Sequence, residues 1–218
     1  MSRPAFLSSG TRQVGKEHLI LHFNFHTHIP QKNALVSAEE CPVGTDFWSL
    51  ELHPWFLPET FEIPDASFKE KLRSASAVGE IGLDRLRGPE LSVQRAYFRT
   101  VLKWAEEAGK GVVVHAVRCD AELDFELRNF SGKVLIHGFC SGEKRLLHHL
   151  ELNRFVSFAP GGWRHCVELL HQRGLKNIGL ETDDSNLRIE DVYIQAEKET
   201  AVSGWECACA DNFLQFIG

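Results

Sequence analysis

The chain has 218 residues, 43% hydrophobic and 25% charged, with no low-complexity tract, so disordered and fibrous classes are left out. Its net charge of −6 argues against a broad basic surface that grips duplex nucleic acid by releasing counterions. No apolar run approaches the roughly 18 residues of a membrane span, and the first residues do not follow the plan of an export leader, so a cytoplasmic protein with no membrane partner is expected.

In chain order, short apolar runs rich in β-branched residues fall at Leu19–Asn24, Ala34–Ala38, Phe47–Leu52, Ala75–Ile81, Gly111–His115, Val134–Ile136, Arg154–Phe158 and Asn177–Leu180. Helical periodicity runs between the later ones, at Leu91–Ala108, Ala121–Asn129, Lys144–Glu151 and Arg164–Gln172, and after the last, at Ile189–Ile217 with a break near Gly204. In the first of these helices Val93, Tyr97, Phe98, Val101, Leu102 and Ala105 recur at three- and four-residue spacing and mark one buried face. Alternation of this kind predicts an α/β fold, a TIM-type (β/α)8 barrel. Between the first and third strands Pro42 and Gly44 interrupt a terse chain, and Pro54, Pro58 and Pro64 follow. The barrel is therefore expected to be irregular in its first βα units. No linker or repeat divides the chain, which reads as a single domain, 1–218.

The six cysteines lack the paired spacing of a structural zinc site and read as free thiols. Cys207 and Cys209, two apart in a helix, are expected to face different sides.

The chemistry-bearing residues lie at the ends of the apolar runs. His26 and His28, at i and i+2 beside a strand, project to one side and can reach one cation. Further candidates close later runs: Glu80 in Gly79-Glu80-Ile81-Gly82-Leu83-Asp84, His115 after Val113-Val114, His137 after Leu135-Ile136, and Asp183 in Glu181-Thr182-Asp183. In a parallel barrel these ends converge on one face. Singly, Glu80 could be a helix-start carboxylate, Asp183 an N-cap, and His115 or His137 a satisfied barrel histidine. Jointly, those readings bury several polar groups at strand ends without a shared purpose, at roughly 1–3 kcal/mol for each one left unsatisfied. A mixed imidazole and carboxylate set suits zinc, manganese or iron better than calcium. Glu80, midway in the series, is the candidate to bridge two ions, since each carboxylate oxygen can take one.

These segments resemble the TatD family of metal-dependent hydrolases. The matching pieces are His26-Thr27-His28, Leu52-His53-Pro54-Trp55, the Gly79–Asp84 segment, Gln94 with Phe98, Val114-His115, His137-Gly138-Phe139 through Ser141-Gly142, and Glu181-Thr182-Asp183. They come in family order and span nearly the whole chain. The resemblance implies a phosphodiesterase or deoxyribonuclease using metal-activated water and two divalent ions, zinc, magnesium or manganese. It assigns His26, His28 and Asp183 to one ion and His115 and His137 to the other, with Glu80 between them and His53 near the substrate phosphate. Asp183 and Glu80 are then the catalytic carboxylates, and Arg118, with Arg85 a weaker candidate, would hold phosphate. The expected partner is a nucleic-acid or other phosphoester substrate, with no obligate protein partner. The chain departs from the family in carrying Glu51 where glycine is usual, in placing Arg118 one residue later than usual, and in being shorter than many relatives. Substrate identity is where these departures bear, so an uncharged ester or amide is the second expectation. A metal-binding protein without turnover is the third.

Overall fold

A hairpin comes first along the chain, with β1 (Thr11–Val14) antiparallel to β2 (Glu17–Ile20). Eight parallel strands follow, paired in chain order: β3 (Asn24–Thr27), β4 (Ala34–Ala38), β5 (Phe47–Leu50), β6 (Ala77–Asp84), β7 (Val112–Val117), β8 (Val134–Ile136), β9 (Phe155–Phe158) and β10 (Ile178–Leu180). This computed structural model describes residues 11–14 and 17–218. Residues 1–10, on which the expectation about an export leader bears, lie outside the described residues.

The strands roll into a nearly closed TIM-type barrel whose seam joins the first of them to the last. Thr27 bridges Asp183 in parallel, and the amides of Thr182 and Asp183 both donate to the His26 carbonyl, at 3.3 and 3.1 Å. Asn24 clamps the same seam: its Nδ2 donates to Thr182 Oγ1 at 2.7 Å and its Oδ1 accepts from Thr182 N at 3.2 Å. Strands covered on both faces need continuous apolar sequence, which is why Val112–Val114 and Val134–Ile136 are buried throughout.

Helices α2 (Leu91–Glu107), α3 (Asp120–Leu127), α4 (Glu143–Glu151), α6 (Ile189–Thr200) and α7 (Trp205–Ile217) occupy the places that periodicity marks. On α2, Tyr97, Phe98, Val101, Leu102 and Ala105 are buried as expected, each of the larger ones contributing roughly 1.5–3 kcal/mol, whereas Val93, in the first turn, is only half-buried. The irregular start is also present, since no helix separates β3 from β4 or β4 from β5 among the described residues.

Three details differ from the sequence reading. The first barrel strand is Asn24–Thr27, not Leu19–Asn24, because Glu17–Ile20 pairs within the hairpin. A short α1 (Ala66–Ser74) follows β5, with Asp65 Oδ1 accepting from the Ser67 and Phe68 amides as its N-cap. The stretch expected as Arg164–Gln172 is a 3₁₀ turn, Gly162–His165, and then α5 (Val167–Arg173).

Phe213 of α7 packs against Phe23, Phe25 and Phe47, with ring centroids 4.6, 5.3 and 5.2 Å away. All six cysteines are free, with Cys207 exposed and Cys209 buried as their spacing predicts. Among the described residues no helix is long and apolar enough to cross a membrane.

Candidate metal centre

The barrel seam builds one half of the site. Because Thr182 and Asp183 hydrogen-bond to the His26 carbonyl, the end of β10 lies against β3, and the Asp183 carboxylate sits beside the two strand-end imidazoles. Asp183 Oδ1 is 3.5 Å from His26 Nε2 and 3.8 Å from His28 Nε2, while Glu80 Oε2 is 3.2 and 3.3 Å from the same two nitrogens. One atom from each of His26, His28, Glu80 and Asp183 fits within a group no more than 4.8 Å across. Asp183 has a left-handed backbone, φ 50°, which aspartate tolerates better than most residues.

The other half gathers on the second oxygen of Glu80. Glu80 Oε1 is 2.6 Å from His115 Nδ1, 2.7 Å from His137 Nε2 and 3.0 Å from His53 Nε2. β6 carries Glu80 into this position with Ser37, whose Oγ accepts from the Glu80 amide at 2.7 Å. The glycines of the Gly79–Asp84 segment have a steric reason. Gly82 has φ 151°, and a side chain there would collide with the His115 carbonyl oxygen, so only glycine lets β6 and β7 approach closely enough to bring Glu80 and His115 together.

The far nitrogen of each ring distinguishes its role. His115 Nε2 faces Asp84 Oδ2 at 3.0 Å, His137 Nδ1 faces Glu181 Oε1 at 3.5 Å, and His28 Nδ1 faces Glu51 Oε2 at 3.5 Å. A carboxylate behind an imidazole draws the ring proton to that side and leaves the near lone pair for a cation. His53 is the opposite case. Its Nδ1 accepts from the Trp55 amide at 3.1 Å, and an amide only donates, so the neutral ring carries its proton on Nε2, toward Glu80. His53 is thus a hydrogen-bond donor in the cluster.

Charge in the cluster is balanced by protons. Burial pushes His26 down and neighbouring His137 adds to that, but the Asp183 and Glu80 carboxylates outweigh both and raise it to about 9. Burial likewise opposes ionisation of Glu80 and Asp183, yet His137 and His115 hold Glu80 well below the ordinary range and His26 holds Asp183 below it. A divalent ion is the natural substitute for such protons. His26 Nε2, the nitrogen that faces Glu80 and Asp183, is buried and makes no well-formed hydrogen bond, the condition expected of a ligand awaiting an ion. Donors, geometry and this nitrogen therefore fit a divalent metal.

All six expected ligands and His53 come together. Arg118 is exposed and directly follows β7. Arg85 is committed to Glu122 and to the Arg118 carbonyl. Glu181 and Asp84 are additions to the expected set. Asp84 lies four residues from Glu80 on one extended strand, so the two share a side, and that spacing is a signal available in the sequence. Its Oδ1 accepts from the Leu86 and Arg87 amides at 2.7 and 3.1 Å, and its Oδ2 accepts from Trp55 Nε1 at 2.5 Å. Glu181, completely buried, accepts from the Gly138 amide at 2.8 Å and from the Ser157 hydroxyl.

A parallel barrel with this cluster at its strand ends is that of a metal-dependent hydrolase. The family model described as TatD related DNase matches residues 18–196, and the chain belongs to that family. Among solved structures it is similar to YJJV, a TatD homologue from Escherichia coli K12, at 19% identity and TM-score 0.63 over 84% of this chain and 83% of the other. It is also similar to a TatD family hydrolase from Entamoeba histolytica, at 13% identity and TM-score 0.66 over 84% of each chain. No curated protein matches the chain in sequence.

Proposed function

We propose that the chain is a phosphodiesterase acting on nucleic acid, a deoxyribonuclease, with His26, His28 and Asp183 holding one divalent ion, His115 and His137 another, and Glu80 between them. The observation that carries this reading is the division of labour at Glu80, where Oε2 meets two imidazoles and Oε1 meets three. When bound, a pair of divalent ions, zinc, magnesium or manganese, would lower the pKa of water and neutralise charge on phosphoryl oxygens.

The protein's own part is positional and protonic. Asp183, with a side chain 36% exposed, stands at the rim as an ionised carboxylate able to accept the proton of an attacking water. His53 carries its proton on Nε2, which here points at Glu80 Oε1 and would be free for an oxygen of the substrate phosphate once ions occupy Glu80. Asp84 and Glu181 keep the imidazoles in front of them fixed in orientation. Family membership supports the same reading.

The test is to strip metal with a chelator, restore zinc, magnesium or manganese, and assay single-stranded DNA with wild type, Glu80→Gln and Asp183→Asn. Activity should require the ion and drop by roughly 10³-fold or more in either variant, as when one member of a catalytic unit is removed. Undiminished cleavage by both variants would end the proposal.

A further inference from the structure

Beside His53 the surface carries an unusual residue. Phe56 is 73% exposed, on the 3₁₀ turn Pro54–Phe56, and its ring centroid is 5.5 Å from that of His53. His53 in turn touches Glu80 at 3.0 Å, so whatever rests on Phe56 lies one ring away from the ligand cluster. Phe56 lines a groove of about 290 Å³ with Leu52, His53, Pro64 and Phe68, between the ends of β4 and β5 and the start of α1. That volume falls just below the range of small-molecule pockets, roughly 300–1,000 Å³, and suits one small flat group, not a length of strand.

The polar lining narrows the occupant. Glu39, Glu51 and Asp65 edge the groove and repel a second phosphate, and of the three Asp65 is already engaged in capping α1. Lys71 is the one cation lining it among the described residues, and it is committed to Glu40 at 3.0 Å and to the Glu39 carbonyl at 3.4 Å. Apolar walls, an exposed aromatic face and carboxylate acceptors match a nucleobase, which has a π-face to stack and ring or exocyclic N–H groups to donate.

We infer that Phe56 is the stacking platform of a subsite for the single unpaired base at the end of a nucleic-acid strand, with Glu39 and Glu51 facing its N–H groups. This rests on the phosphodiesterase reading and adds to it: the strand end is held by its base, and the terminal phosphodiester beside that base is the bond presented to the metal centre. Cleavage then proceeds from an end with little sequence preference, since every base has a face to stack.

Manganese-loaded protein, wild type and Phe56→Ala, is assayed on single-stranded oligonucleotides that are identical except for a base-less residue placed at the 5′ end, the 3′ end or the centre. For wild type, removing the base at one end should lower kcat/KM roughly 5- to 100-fold, and Phe56→Ala should impose a similar loss on the intact strand while leaving the strand lacking that base unchanged. Phe56→Trp should restore the intact-strand rate. A thermal melt confirms that Phe56→Ala remains folded, as its exposure leads one to expect. If wild type cuts both intact and base-less ends equally, or if Phe56→Ala slows all substrates alike, the subsite is overturned while the phosphodiesterase reading stands. If wild type cuts none of them, the underlying reading fails.

Discussion

Phe25 and His26 are neighbours on β3, both completely buried, and they belong to opposite kinds of interior. Phe25 joins the aromatic cluster of Phe23, Phe47 and Phe213, where neighbouring rings fill the space. His26 faces two carboxylates and the ring of His137, and both of its nitrogens lack a hydrogen-bond partner. A strand sends successive side chains to opposite sides, so a single residue step separates a region held by apolar packing from one whose charges are arranged around a cation site.

The most severe way to break this division is Phe213→Ala. Loss of a fully buried aromatic should cost about 3–5 kcal/mol, read from a thermal or denaturant melt. Cation affinity of the protein that remains folded should not change; a parallel loss in calorimetry would mean the two regions are not separable. Asp84→Asn attacks the other side. Removing the charge behind His115 should lower cation affinity roughly 10- to 100-fold, measured by calorimetry on protein whose melt shows it folded.

Per unit of the variable changed, the gentlest probe is pH. In the metal-free protein His26 keeps its proton up to about 9, whereas the unfolded chain releases it near 6.5. Its contribution to stability is therefore complete below 6.5 and is lost as pH rises through 9, at up to about 1.4 kcal/mol per unit. Cation binding needs the neutral ring, so affinity should climb over the same interval. Opposite slopes for metal-free stability and for metal affinity are the expected pair, and parallel slopes would detach His26 from the ligand set.

Much of this was legible in the residues themselves. Apolar runs such as Val112–Val114 and Val134–Ile136 admit little besides strand in a chain with this alternation, and a polar residue at the end of each run marks the face where strand ends meet. The first strand was harder, because residues 17–27 mix apolar and polar side chains along their whole length, which does not say which part pairs in a hairpin and which enters the barrel. Helix α1 buries only Leu72, so its periodicity is faint, and Asp65 capping its start is the stronger mark. Asp84 and Glu181 stood inside recognised segments without a role, since the service they perform, holding another side chain still, depends on which imidazole lies behind them in space. The solvent-facing Phe56 carries no pattern at all in the sequence; its interest comes from its distance to His53.

The seam has a consequence for how the enzyme comes into being. Asn24 and Thr182 are 158 positions apart, yet their contact sets His26 beside Asp183. During synthesis, His53, Glu80, His115 and His137, which lie between the first and last barrel strands, all emerge before residue 183. An ion held by His26, His28 and Asp183, as proposed above, would have to wait until the ring joins up, so its uptake would report on completed folding.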